Sequence, residues 1–164
     1  MHHQKKLTPI SGKLIKKWVP DAKIMKYSEL KNYNMLPRLP IVLLYEVKPN
    51  YGHWVTILRT PEGIEHFDSY GYAPDNELGF IPDEFKGISN QNKKYLLNLL
   101  YNSGENINFN QHNLQKERDA ATCGRWSILR NLFNYLTTDE FAHTVEKTSK
   151  QLGISTDDLV TLAI

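Results

Sequence analysis

Two runs of alternating residues, separated by a short turn, constrain the fold of this chain more than any other feature. The runs cover residues 53–59 and 64–70, and Thr60-Pro61-Glu62-Gly63 lies between them. Proline suits the second position of a β-turn and glycine the fourth. Because both flanking runs have the two-residue period of half-buried strands, the sequence predicts an antiparallel hairpin.

The register of this hairpin places a histidine beside an acid. Pairing of Arg59 with Ile64 puts Val55 opposite Asp68, and side chains along a strand alternate between the two faces. His53 then shares a face with Asp68 as its diagonal neighbour, with backbone positions about 7–8 Å apart. A carboxylate there can hydrogen-bond the imidazole, fix its tautomer and stabilise its charged form.

The same register also leaves a metal site open as an alternative. His66 lies on the face that carries His53 and Asp68, so the three side chains offer two imidazoles and one carboxylate. Their spacing lacks the i,i+4 pair of helical zinc motifs, and we expect no metal and no other cofactor.

Periodicity and capping signals predict the remaining elements. They indicate strands at residues 41–47 and 107–111, helices at 8–18 and 90–101, a helix from Cys123, two capped helices that open at Thr137 and Ser155, and a surface loop at 73–87. The predicted fold class is α+β, with a central, mainly antiparallel sheet packed against the Cys123 helix and flanked by further helices.

Length and composition fit a single domain over residues 1–164. Apolar residues make up 40% of the chain and charged residues 23%, which excludes a disordered segment or a coiled coil. The longest strongly apolar run, residues 39–45, is too short for a membrane span, and the first residues lack the apolar core of a signal peptide. A net charge of +2 is too small to indicate nucleic-acid binding. We expect a monomeric, intracellular protein that is neither secreted nor membrane-bound.

The chain contains one cysteine, Cys123, at the predicted start of a helix. Unpaired N–H groups at a helix N-terminus favour a thiolate, the nucleophilic form of the side chain. A cysteine there is also compatible with simple core packing, and a base such as His53 is what turns it into a candidate nucleophile. Acyl transfer further needs an oxyanion donor, for which both Gln115 and Gln111 are available.

The order of these motifs resembles that of the adenain-like and SUMO-protease-like cysteine peptidases. That family includes maturation proteases of adenoviruses, large DNA viruses, virophages and polinton-type elements. The motifs are Gly52-His53-Trp54, then Phe67-Asp68-Ser69-Tyr70-Gly71, then a glutamine, then Thr122-Cys123-Gly124. The resemblance implies His53 as general base, Asp68 as its orienter, Cys123 as nucleophile and Gln115 as oxyanion donor. It also implies that Trp54 and Gly52 shape a narrow substrate cleft, although Gln115 lies one or two residues further from the cysteine than in the compared members.

The function implied by the resemblance is that of a thiol endopeptidase. Its partners would be protein substrates, namely viral capsid or scaffold precursors cut at glycine-containing sites. It would act in the virion and in the cytoplasm or virus factory of the infected cell. A peptide or DNA activator stays open, as do two alternatives: an isopeptidase that removes ubiquitin or SUMO, and a catalytically inactive binding module of the same fold.

Overall fold

The computed structural model describes residues 2–117 and 119–164, and they form an α+β fold around a five-stranded sheet. The strands are β1 (Lys23–Lys26), β2 (Ile41–Lys48), β3 (Tyr51–Thr60), β4 (Gly63–Phe67) and β5 (Ile107–Phe109). The α-helices are α1 (His2–Leu7), α2 (Gly12–Trp18), α3 (Asp83–Ile88), α4 (Tyr95–Asn102), α5 (Cys123–Leu132), α6 (Thr138–Leu152) and α7 (Thr156–Ala163). Two 3₁₀-helices cover Tyr27–Asn32 and Asn76–Phe80.

The predicted hairpin is confirmed, with the predicted register over Thr56–Thr60 and Gly63–Phe67, although its second strand ends at Phe67 and not at residue 70. β3 and β4 are antiparallel, with Arg59 opposite Ile64 and Ile57 opposite His66. The turn residue Gly63 has a positive φ of 109°, a conformation that glycine adopts without steric strain. The local turn signal was therefore sufficient to fix which side chains share a face.

The sheet is mixed: its three central strands are antiparallel, as predicted, and its two edge strands add parallel pairings that were not predicted. The strand order is β1-β2-β3-β4-β5, and the two outer pairings, β1 with β2 and β4 with β5, are parallel. β1 was not predicted because it has only four residues, Lys23-Ile24-Met25-Lys26, of which Met25 alone is buried. So short a segment carries no clear two-residue period, and its pairing with β2 supplies the missing stability.

Several further segments differ from their predictions: the helix expected over residues 90–101 covers Tyr95–Asn102, and the strand expected over 107–111 covers Ile107–Phe109. The helix expected over residues 8–18 begins only at Gly12, where the Ser11 side chain accepts the Leu14 N–H as an N-cap. The predicted loop at residues 73–87 contains the second 3₁₀-helix and most of α3. Thr137 and Ser155 cap α6 and α7 as predicted.

The sheet is covered on both faces. One face packs against α5, α6 and α7 through a cluster that contains Trp54, Phe67 and Trp126. The other face packs against α4 and the first 3₁₀-helix, through Val55, Ile57 and their neighbours. Among the described residues, no helix combines the length and the apolar character needed to cross a membrane.

A buried ion pair joins the hairpin to α5. The Arg130 guanidinium donates to both carboxylate oxygens of Glu65 on β4, at 2.8 and 2.9 Å, and both side chains are fully buried. Thr138, at the start of α6, also donates to Glu65. One carboxylate therefore connects β4, α5 and α6.

Close backbone approach fixes the glycine that precedes His53. A Cβ on Gly52 would lie 1.7 Å from the backbone oxygen of Tyr45, at the irregular end of the β2–β3 pairing. The backbone cannot move aside as a flexible side chain would. Any larger residue must therefore displace the first residues of β3.

We predict that Gly52→Ala lowers the free energy of unfolding by about 3 kcal/mol, because the added methyl overlaps backbone atoms. Urea denaturation measures the change. Gly87→Ala in α3 is the matched control, since its Cβ would meet nothing within 4 Å, and we expect it to stabilise the protein by about 0.5 kcal/mol. Equal midpoints for the two variants would contradict this reading of Gly52.

Candidate active site

An open cleft of about 710 Å³ gathers most of the predicted site residues. Its lining includes His53, Cys123, Gln115 and Gly52. Tyr70 also lines it, and the Tyr70 ring stacks on the imidazole of His53 at a centroid distance of 4.8 Å. Residues from β3, the segment after β4 and the start of α5 thus meet in one place.

His53 and Asp68 form the hydrogen bond that the hairpin register predicted. Nε2 of His53 lies 2.8 Å from Oδ1 of Asp68, which also accepts the Tyr70 N–H at 2.9 Å. The Asp68 side chain is fully buried. With Nε2 engaged, Nδ1 is the imidazole nitrogen left for a thiol.

The electrostatics of this pair favour an imidazolium–carboxylate state. Burial opposes the charged imidazole, but the Asp68 charge, the Cys123 sulfur and the hydrogen bonds to both raise the pKa of His53 well above its usual value. Burial likewise opposes the charged carboxylate, yet the charge and hydrogen bond of His53 hold the pKa of Asp68 below its usual value. Each partner therefore stabilises the charge of the other.

Cys123 is the first residue of α5, as predicted, and it is buried. β4 ends at Phe67 opposite Thr56, so it does not cover the first half of β3. The backbone N–H of Trp54 in that uncovered half donates to Sγ of Cys123 at 3.4 Å. This hydrogen bond fixes the sulfur beside the uncovered half of β3.

Gln115 lies in the cleft, whereas Gln111 does not. The Ser69 hydroxyl donates to Oε1 of Gln115 at 2.7 Å, and Nε2 of Gln115 donates to the Ala120 carbonyl at 2.8 Å. These bonds orient the amide so that its second N–H points toward the Tyr70 hydroxyl, 3.3 Å away. Gln111 is exposed and lines a separate pocket with His112.

Trp54 occupies a groove beside the cleft and does not line the cleft that holds Cys123. Its ring packs where a side chain on Gly124 would stand, since a Cβ there would lie 3.2 Å from the Trp54 ring and 2.7 Å from Ile10. Gly52 and Tyr51 line both the cleft and the groove. The glycine after the cysteine therefore serves the packing of α5, and Gly52 marks the junction of the two hollows.

Asp157 ties down the segment between Gln115 and Cys123, a role that sequence reasoning missed. Its fully buried carboxylate accepts the N–H groups of Lys116 and Glu117 at 2.9 and 2.8 Å. Its other oxygen accepts the Thr122 hydroxyl at 2.7 Å. A single aspartate on α7 thus holds both ends of the segment that joins the amide to the nucleophile.

Glu77 takes the third position of the polar cluster, which the sequence analysis had assigned to His66. One ligand atom each from His53, Asp68 and Glu77 lies within 4.8 Å of the others. The closest pair in this set, His53 and Asp68, already forms a hydrogen bond, which accounts for their proximity without a metal. Glu77 left no signal in the sequence because it lies in a segment predicted to be loop.

His66 is buried on the same face but lies outside this cluster. Neither ring nitrogen has a hydrogen-bond partner within the described part of the chain. Burial lowers the pKa of His66 to about 4, so the side chain stays neutral where His53 is charged.

We predict that acid destabilises the protein through His66. Between about pH 6.5 and 4 the unfolded chain binds a proton that folded His66 does not, so stability falls as the pH falls through this window, by about 3 kcal/mol. Urea denaturation as a function of pH should show this loss reduced in His66→Leu. The exposed His143→Gln is the control, and a wild-type pH dependence that persists in His66→Leu would refute the assignment.

Comparison with known proteins identifies a viral relative. The chain is 38% identical over 148 residues to "Uncharacterized protein V9" of Sputnik virophage, an alignment that covers 86% of this chain and 85% of that protein. No model of a known protein family matches the chain. At this identity and coverage, the chain belongs to the same protein family as protein V9 of Sputnik virophage.

Proposed function

We propose that this protein is a cysteine endopeptidase with His53, Asp68 and Cys123 as its catalytic residues. One observation carries the proposal. In a single open cleft, the Cys123 thiol at the start of α5 neighbours the His53 imidazole, and Nε2 of His53 is hydrogen-bonded to the buried Asp68 carboxylate. The order of the motifs along the chain, which resembles that of adenain-like and SUMO-protease-like peptidases, supports it. We propose that the chain also has the fold of that family.

The chemistry follows from the placement of these groups. The Cys123 thiolate attacks the scissile carbonyl, and the carbonyl electron pair moves onto oxygen. The N–H of Cys123 at the start of α5 and the Gln115 N–H that otherwise points toward the Tyr70 hydroxyl stabilise that oxyanion. Charged His53 then gives its Nδ1 proton to the leaving amine, the thioester forms, and neutral His53 activates the water that hydrolyses it.

The virophage relative supports a viral protein as the substrate. We infer that the natural substrates are capsid or scaffold precursors, cut in the virus factory or in the assembling particle. Removal of ubiquitin-like modifiers needs a recognition surface of about 800 Å² on each partner in addition to the cleft. The experiments below distinguish that isopeptidase activity from cleavage of viral precursors.

We predict that Cys123→Ala abolishes peptide hydrolysis and that His53→Ala lowers kcat by about 10³-fold, because the general acid–base is lost. Asp68→Asn should cost less than Cys123→Ala, since Asp68 orients a group that reacts and does not itself react. Hydrolysis of a fluorogenic peptide measures all three.

The matched control is a second histidine–aspartate pair. His112 and Asp139 also lie 2.8 Å apart, but both are solvent-accessible and neither lines the cleft. His112→Ala should leave kcat unchanged. Full activity of folded His53→Ala, or an equal loss in His112→Ala, would show that His53 is not the base.

We predict that glycine occupies the acyl side of the scissile bond. An extended peptide that passes from the cleft into the Trp54 groove would run beside Gly52, Tyr51 and Pro9, which line both hollows, and the family resemblance implies that this passage is too narrow for large side chains. Mass spectrometry of a cleaved peptide library should show Gly-Gly or Gly-X at the cut. A preference for bulky residues there would contradict the narrow passage, and faster processing of folded ubiquitin or SUMO than of their C-terminal peptides would favour the isopeptidase.

A further inference from the structure

Two buried carboxylate oxygens near the candidate base lack hydrogen-bond partners. Oδ2 of Asp68 and Oε1 of Glu77 are both buried, and neither has a hydrogen-bond partner among the residues that the structure describes. Oε1 of Glu77 also lies 3.7 Å from Nε2 of His53. A buried polar atom without a partner is costly, and the carboxyl groups of Asp68 and Glu77 lie close enough to share a hydrogen bond.

The position of Glu77 is built into the fold. Glu77 lies in the 3₁₀-helix Asn76–Phe80, which follows Asp75 in the left-handed conformation at φ 67°. The Asp75 carboxylate accepts the Tyr45 hydroxyl at 3.0 Å and the Leu97 N–H at 2.8 Å. β2 and α4 therefore hold the segment that carries Glu77 against the cleft.

We propose that Glu77 is a positioning residue that carries a proton and donates it in a hydrogen bond to Oδ2 of Asp68. The hydrogen bond would satisfy both unpartnered oxygens at once and fix the carboxylate that orients His53. Its catalytic consequence rests on the proposed peptidase function, whereas the shared proton itself does not.

Electrostatics assign this proton to Glu77. Burial raises the pKa of Glu77 to about 7, whereas His53 lowers that of Asp68. The ionisable groups that face Glu77 are His53 from β3 and Asp68 and Tyr70 from the segment after β4, with Cys123 of α5 beyond the imidazole. When the pH rises above about 7, Glu77 ionises, loses its donor hydrogen and adds a second negative charge beside His53.

Ionised Glu77 should slow acyl transfer because it makes His53 a weaker acid. Two carboxylates next to one imidazolium bind its proton more firmly, so His53 becomes a weaker acid toward the leaving amine. Repulsion between the carboxylates also disturbs the orientation of Asp68. Activity should therefore decline as the pH rises through about 7, by about tenfold for each further unit if the ionised form is inactive.

The first test follows the proton without any substrate. Carbon-13 NMR of glutamate carboxyls in the full-length protein should show one carboxyl that titrates near pH 7 and that is missing in Glu77→Gln. Glu84→Gln, an exposed acid in α3, is the control and should leave that resonance in place. If every glutamate titrates at its ordinary value, the proposal is overturned, whether or not the protein hydrolyses peptides.

The second test uses the pH profile of peptide hydrolysis. Glu77→Gln retains an N–H donor for Asp68 but cannot ionise, so it should keep near wild-type kcat at about pH 6 and retain it at least one pH unit further into the alkaline range. Glu77→Ala should lower kcat about tenfold at the same pH with KM unchanged. An alkaline limb identical in wild type and Glu77→Gln would refute the positioning role. A wild type without hydrolysis but with the neutral-range carboxyl would refute the peptidase and retain the shared proton.

Discussion

The buried ion pair between Glu65 and Arg130 determines where the candidate nucleophile lies. It joins the centre of the hairpin to the C-terminal half of α5 through two hydrogen bonds that fix the rotation of the helix about its axis. Breaking such a pair by removing one partner typically costs about 3–5 kcal/mol, because the remaining charge stays buried. Since Cys123 begins the same helix, its distance from β3 depends on this contact.

A second buried carboxylate holds the other end of α5. Asp157 accepts the hydroxyl of Thr122, the residue before Cys123, and lies 3.4 Å from the indole nitrogen of Trp126 one turn later. α5 is thus anchored at both ends by acids from other elements, β4 and α7. The sulfur can then meet the Trp54 N–H only because β4 stops at Phe67 and leaves that donor uncovered.

The sequence predicted those parts of the structure that local signals determine. The turn at residues 60–63 set the hairpin register and with it the His53–Asp68 contact, and the apolar period after Cys123 set α5. Parallel edge pairing and the Asp157 contacts could not be predicted because they join segments far apart in the chain, and the approach of Glu77 could not because Glu77 lies in a segment predicted to be loop. Trp54 was expected in the catalytic cleft, but a period of two residues fixes only the face of a strand and cannot tell which of two adjoining hollows a ring fills.

Hydrogen-bond partners decide which of the two hairpin histidines can act as a base. His66 is buried and His53 is partly buried at the cleft, and both feel the charge of Asp68, yet burial lowers the pKa of His66 while that of His53 is raised. The difference is that His53 hydrogen-bonds the carboxylate and neighbours the Cys123 sulfur, whereas the described residues offer His66 no hydrogen-bond partner. Glu77 follows the same rule with the opposite charge: where burial is uncompensated, the neutral form is favoured. Hydrogen bonding therefore separates the charged pair, His53 and Asp68, from His66 and Glu77, for which burial favours the neutral form.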